Sequence, residues 1–139
     1  MSFYETLLFL HLLAAFTTVT AVALFTAMFV ATARSSVTGR SPLLRLSPLA
    51  EALWAVGGLT VIVFGIWLAI YVDGYAVWDG WVLAAIALWV VASATGGRVA
   101  RGYKLLRRGA GERAPLLLHA AVVLAVALLL ADMIWKPGA

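Results

Sequence analysis

Four long apolar stretches separated by short polar segments constrain this chain of 139 residues more than any other feature. An α-helix crosses the hydrocarbon core of a bilayer with about 20 apolar residues, within a range of roughly 17 to 25. With 65% hydrophobic and 12% charged residues, the chain has too few polar side chains to surround a water-soluble core. The sequence therefore predicts an all-α membrane protein with a single transmembrane domain. Its spans are predicted at residues 7–33, 48–72, 80–97 and 115–135.

The ten lysines and arginines are distributed unevenly along the chain. Nine of the ten lie between spans one and two or between spans three and four. Because cytoplasmic loops of membrane proteins carry the excess of these residues, both segments are predicted to face the cytosol. Short connections make neighbouring spans antiparallel. The predicted architecture is an up-down four-helix bundle with both termini on the outer side.

Local signals predict where the spans begin and end. Ser47, which precedes a proline, is predicted to cap the second span, and Asp79 is predicted to cap the third. The basic residues after the third apolar stretch allow its helix to continue beyond the lipid. Gly109 and Gly111 are predicted to end it.

Several classes of chemistry are excluded by the composition. The chain has no cysteine, which excludes disulfides, cysteine-ligated zinc and thiol nucleophiles. It contains no phosphate-binding glycine loop, no zinc-protease helix motif and no serine in a nucleophile elbow. The formal charge of +4 arises from segments that flank apolar spans, which is typical of membrane topology and not of nucleic-acid binding. We therefore predict no catalytic residue and no nucleic-acid partner, and the lipid bilayer is the partner that the composition requires.

Three ionisable residues, His11, His119 and Asp132, lie clearly within the apolar spans, away from the start of span two where Glu51 lies. Such residues are candidate functional residues because they are costly in lipid. With a rise of about 1.5 Å per residue, His11 is predicted roughly 13 Å outside the bilayer midplane and His119 about 8 Å inside it. Two nitrogen ligands on opposite sides of one haem iron must lie about 4 Å apart. A single haem held between these two histidines of one chain is therefore not expected.

Residues predicted at the same distance from the bilayer midplane as a histidine are its candidate partners. Asp132 and Met133 are predicted about 11 to 13 Å outside the midplane, level with His11. The alternatives at this level are a His11–Asp132 hydrogen bond and a metal site made by His11 and Met133. Lys136, near the interface, is the other candidate partner of Asp132. In a homodimer, two copies of one histidine would also face each other at equal depth.

On the inner side, Met28 and Glu51 are predicted within reach of His119. Each histidine has two interpretations: a polar residue bonded to a neighbouring helix, or a haem or metal ligand, since imidazole is the commonest metal ligand.

The tryptophans are predicted to form belts at the two membrane boundaries. Trp54 is assigned to the inner boundary. Trp89, near the middle of span three, either fills a gap between helices or stacks on a flat cofactor. The outer belt is predicted to contain Trp67, Trp78, Trp81 and Trp135.

Short motifs in three of the spans suggest a family. The first span begins LLFLHLLAA at residues 7–15, the second contains FGIWL at residues 64–68, and the chain ends with MIWKPG at residues 133–138. In these motifs and in its Trp-containing third span, the chain resembles a family of bacterial four-span integral membrane proteins within or near the CopD-like superfamily. The resemblance covers nearly the whole chain and implies a multi-pass protein of the bacterial inner (plasma) membrane.

CopD-like relatives include proteins implicated in copper uptake and protoporphyrinogen oxidases that use haem. The first-span histidine of the pattern corresponds to His11, and a fourth-span histidine corresponds to His119. The resemblance implies a haem-b-binding or redox-linked membrane protein with these two residues as cofactor ligands. The chain differs from these oxidases because it has no intramembrane lysine. Its Lys136 lies at a span boundary.

Two other functions are compatible with the sequence. A non-catalytic accessory or assembly subunit of a larger membrane complex is favoured by small residues such as Gly57, Gly58, Gly96 and Gly97, which let helices approach closely. A small transporter or channel is the third hypothesis. A coupled transporter of this size needs a charge near the midplane, and none of the four spans has one there.

Overall fold

The computed structural model describes residues 2–34 and 41–136, which form four α-helices and one short 3-10 helix. All four α-helices are long and apolar enough to cross a membrane. The predicted all-α bundle of four membrane-spanning helices is confirmed. The helices are α1 (Phe3–Arg34), α2 (Ser47–Tyr71), α3 (Gly80–Arg107) and α4 (Leu116–Trp135), and the 3-10 helix is Pro42–Leu46.

The four helices are arranged as two hairpins. Helix α1 packs mainly along α2, and α3 packs mainly along α4, whereas the backbones of α1 and α4 approach each other less closely. The start of α1, the end of α2, the start of α3 and the end of α4 line one cavity, so consecutive helices run in opposite directions. The observed arrangement is the predicted up-down bundle.

The end of α3 follows the glycine signals. The helix continues ten residues beyond the predicted span and ends at Arg107. Gly109 and Gly111 have φ values of 75° and 92°, which place both in the left-handed region where a side chain would be strained. The N–H of Gly109 donates to the carbonyl of Leu106, which satisfies one of the free carbonyls of the last turn.

The starts of α2 and α3 differ from the predicted capping. Ser47 is the first residue of α2 and not its cap. The 3-10 helix leads directly into α2, and Leu46 is the N-cap residue. The Ser41 hydroxyl caps the 3-10 helix instead, accepting from the N–H of Leu43. Asp79 occupies the N-cap of α3, but its carboxylate accepts from the N–H of Ala76 in the preceding turn. Residues 137–138 of the last sequence motif lie outside the described residues.

An aromatic core holds α1, α2 and α3 together. Phe25 stacks on Tyr103 with 6.0 Å between ring centroids and packs against Trp54 at the same distance. The Tyr103 hydroxyl donates to the carbonyl oxygen of Phe25 over 3.2 Å. The Trp54 ring fills the space beside Gly96, where a β-carbon would overlap the indole. Trp54 therefore faces the core and not the lipid, contrary to its assignment to a boundary belt.

A second tryptophan links α2 and α3. Trp89 donates from Nε1 to the carbonyl oxygen of Gly58 over 2.8 Å. Of its two predicted interpretations, this contact matches the one in which Trp89 fills a gap between helices.

Candidate functional site

A cavity of about 350 Å³ lies between the ends of the helices near the chain termini. Most of its lining is apolar, and α1, α2 and α4 each contribute a wall. We call it the His11 cavity. Its polar lining residues are His11, Tyr4, Tyr75, Trp81 and Lys136.

His11 lies in the third turn of α1 and is only 7% exposed. Its Nε2 atom lies 3.3 Å from the Sδ atom of Met133 on α4. On the α2 side, a β-carbon added at Gly65 would lie 3.0 Å from the Cε1 atom of His11. The missing side chain at position 65 therefore leaves the space that the imidazole occupies, so α1, α2 and α4 all fix the ring.

The other ring nitrogen of His11 is poorly satisfied. Among the described residues, Nδ1 has no hydrogen-bond partner of good geometry, although the backbone of Val61 lies nearby. Buried polar groups are usually paired, but Nδ1 of His119 lacks a partner in the same way, so this feature alone does not distinguish His11.

The spacing of the His11 and Met133 donor atoms suits chelation of a metal ion. With metal–nitrogen bonds of about 2.0 Å and metal–sulfur bonds of about 2.3 Å, donors at this separation subtend an angle of about 100° at the metal. A haem iron between the same two atoms would require trans ligands about 4.3 Å apart, the sum of those bond lengths. The pair therefore fits a small ion bound on one side and does not fit a haem held between the two residues.

Asp132 does not join this pair. It is 8% exposed, and its Oδ2 atom has no hydrogen-bond partner in the described chain. Successive residues of an α-helix point about 100° apart, so α4 cannot direct both Asp132 and Met133 at His11. Of the two sequence alternatives at this depth, the structure forms the His11–Met133 contact and not the His11–Asp132 hydrogen bond.

His119 lies in a separate polar cluster nearer the other end of the bundle. Its ring, 6% exposed, stacks on Phe29 with 4.6 Å between centroids and 3° between planes. The Arg113 guanidinium lies 5.0 Å from the centroid of the Phe29 ring. The cluster thus joins a loop arginine, an α1 aromatic ring and the α4 histidine.

His119 forms a hydrogen bond with Thr26 on α1. The Thr26 hydroxyl donates to the carbonyl of Val22 over 2.9 Å and lies 3.2 Å from His119 Nε2, so it accepts from the imidazole in the tautomer that carries its proton on Nε2. Within residues 2–34 and 41–136, Nδ1 of this ring has no partner. The partner of His119 is therefore Thr26 and neither of the two predicted residues, Met28 and Glu51. Met28 is fully buried in the core, and Glu51 lies 3.6 Å from Lys104 in an exposed ion pair.

The two histidines occupy different levels of the bundle. Thr26 and Phe29, which contact His119, follow His11 on the same helix by 15 and 18 residues. At about 1.5 Å per residue, this separation is roughly 22 to 27 Å. One haem cannot bridge His11 and His119 within a single chain.

A contact that the sequence did not predict lies at the end of α4. Lys136 donates from Nζ to the Tyr75 hydroxyl over 2.9 Å, and the same atom lies 5.5 Å from the centroid of the Trp81 ring. Lys136 is the C-cap residue of α4 and has a positive φ of 41°. The sequence predicts this lysine at the boundary as an alternative partner of Asp132, but its side chain donates to Tyr75 instead.

The metal-ligand set at His11 is small. Across the described ranges, no three His, Asp or Glu side chains converge on one point. An ion at His11 would therefore depend on the Met133 thioether and on ligands that enter through the cavity.

No family model matches this chain, and comparisons with curated proteins and with solved structures find no match.

Proposed function

We propose that this small integral membrane protein binds a redox-active metal, copper(I), between His11 and Met133 in the outer leaflet of a bacterial inner membrane. The observation that carries the proposal is the 3.3 Å separation of His11 Nε2 and Met133 Sδ beside a cavity. Thioether and imidazole are the donors that suit copper(I), whereas harder cations prefer oxygen. The resemblance to CopD-like proteins, some of which are implicated in copper uptake, supports the same ion.

The arrangement suits a metal that is received and passed on. Two protein donors leave coordination positions open, as exchange with another carrier requires. The apolar walls of the His11 cavity limit the access of water, which favours a soft, weakly hydrated ion over a hard one. Copper(I) bound there would be reached from the predicted outer side of the membrane.

A titration tests the proposal directly. Purified protein in detergent, kept reduced, should withdraw about one equivalent of copper(I) from a chromophoric chelator. His11→Ala and Met133→Leu should each abolish this transfer. His119→Ala and Met28→Leu should leave it unchanged, because both residues lie outside the His11 cavity. Equal binding by all four variants would refute the assignment.

Haem b attached through His11 alone is the second candidate, and the open cavity beside the ring favours it. Protein purified from haem-replete cells should then show a Soret band and a reduced α band, both lost in His11→Ala. A colourless preparation that binds copper(I) would decide between the candidates in favour of copper.

A further inference from the structure

A second cavity, of about 340 Å³, lies at the opposite end of the bundle from His11. It is formed between the 3-10 helix and the end of α3. We call it the arginine cavity, because Arg45, Arg107 and Arg108 all line it. None of the three forms a salt bridge with an acidic side chain that the structure describes. Three cations around one cavity repel one another unless an anion lies between them.

The fold builds this cavity from two fixed chain ends. Leu44 is buried in the core and anchors the 3-10 helix, whose last turn carries Arg45. The left-handed Gly109 ends α3 directly after Arg107 and Arg108 and forms part of the cavity wall. The arginines are therefore placed by backbone geometry at both sides of the cavity.

The position of the cavity identifies the source of the anion. Pro42, Leu44 and Leu106 line it together with the arginines, so an apolar surface adjoins the charged one. Arg45 precedes the second apolar span by three residues and Arg107 follows the third by ten, so the cavity lies outside the hydrocarbon on the side of the basic segments, where lipid headgroups are found. Guanidinium groups bind phosphate oxygens through paired hydrogen bonds. Basic pockets between helices at the cytoplasmic side are suited to anionic headgroups.

We propose that the arginine cavity binds the phosphate of an anionic phospholipid, such as phosphatidylglycerol, in the cytosolic leaflet. The Arg45 and Arg107 side chains hold the phosphate, and the apolar wall contacts the glycerol and the first acyl carbons. The site is independent of the proposed metal site at the other end of the bundle.

Native mass spectrometry of the protein in a neutral detergent tests the proposal. Added phosphatidylglycerol should bind with a first site much tighter than the following ones, and phosphatidylcholine should not show such a site. Arg45→Gln/Arg107→Gln should weaken the first site about 25-fold, from about fivefold for each arginine. The control Arg98→Gln/Arg101→Gln removes the same charge from α3 outside the cavity and should change it less than twofold.

Two further measurements separate charge from hydrogen-bond geometry, and lipid from free phosphate. Arg45→Lys/Arg107→Lys keeps the charge and loses the paired hydrogen bonds, so it should fall between the wild type and the glutamine variant. Inorganic phosphate should displace the lipid only at far higher concentration. Equal weakening by the control pair, equal binding of phosphatidylcholine, or displacement by phosphate at concentrations comparable to the lipid would each overturn the proposal.

Discussion

Position 65 is where a single missing side chain matters most to the proposed metal site. A β-carbon there would lie 3.0 Å from Cε1 of His11, closer than ordinary packing allows. Gly65→Ala should therefore shift the imidazole by a few tenths of an ångström and move Nε2 relative to Met133. Changes in the groups that orient a ligand typically cost about 10-fold to 100-fold in metal affinity, and we expect the lower end here.

The measurement is the copper(I) titration, with Gly58→Ala as the matched control. A β-carbon at position 58 meets no described atom within 4 Å, so this second α2 substitution adds the same methyl group without touching His11. If both variants lost affinity equally, a general effect on α2 and not the orientation of His11 would be responsible.

The Tyr103 hydroxyl gives a residue-scale test of the aromatic core. Tyr103→Phe removes the 3.2 Å hydrogen bond to the Phe25 carbonyl and keeps the stacked ring. The free energy of unfolding should fall by about 1 kcal/mol, the usual net value of such a bond. Reversible denaturation in mixed micelles measures it. Tyr71→Phe is the control, since the structure describes no hydrogen bond from the exposed Tyr71 hydroxyl, and a loss as large there would contradict the assignment.

The sequence predicts the depth of polar residues but not their direction. The rise of an α-helix is fixed, so counting residues along each span is enough to bring His11, Asp132 and Met133 to one level. Which of them meet depends on the rotation of each helix about its axis, and packing sets that rotation. Met133 therefore reaches His11 and Asp132 does not, and only the folded bundle identifies Thr26 as the partner of His119.

At the scale of helices, α2 and α3 approach through Trp54 and Gly96. A β-carbon at position 96 would overlap the indole, so Gly96→Ala must displace the ring or separate the helices. Overpacking of this kind costs about 1 to 3 kcal/mol. Gly97→Ala, whose added carbon meets nothing described within 4 Å, should be neutral.

Thermal unfolding of the two alanine variants in the same detergent measures the difference. Combining Gly96→Ala with Trp54→Leu should recover part of the lost thermal stability, because the smaller leucine side chain leaves room for the added β-carbon. A destabilised Gly97→Ala, or no recovery in the double variant, would show that the penalty arises elsewhere in α3.

The helices themselves follow from apolar length, but their starts do not follow from capping residues alone. Ser47 has the sequence of a cap, and the chain instead enters α2 from a 3-10 turn. Burial of Leu44 stabilises that turn, and burial is a tertiary property that a local cap signal does not contain. The end of α3 was predictable because Gly109 and Gly111 relieve a local steric conflict that no packing can remove.

For the whole molecule, the bundle has different chemistry at its two ends, with an imidazole beside a thioether at one end and three arginines around a cavity at the other. Four-helix packing followed from composition and short connections, because lipid-exposed backbone must be helical. The His11 and arginine cavities did not follow, because each arises where helices of different hairpins or loops fail to close completely. Homodimerisation and association with a larger complex stay predictions, since the helix faces toward lipid suit either.

The orientation of the bundle connects both proposals, and the absence of native cysteine makes it directly measurable. Asp73→Cys lies in the exposed turn between α2 and α3, and Glu112→Cys lies in the exposed loop between α3 and α4. Because nine of ten basic residues lie on the latter side, an impermeant maleimide should label position 73 in intact spheroplasts. It should label position 112 only after permeabilisation. The reverse pattern would turn His11 toward the cytosol and the arginine cavity toward the outer leaflet. Copper would then be reached from the cytosol, and the anionic lipids of the cytosolic leaflet could no longer reach Arg45 and Arg107.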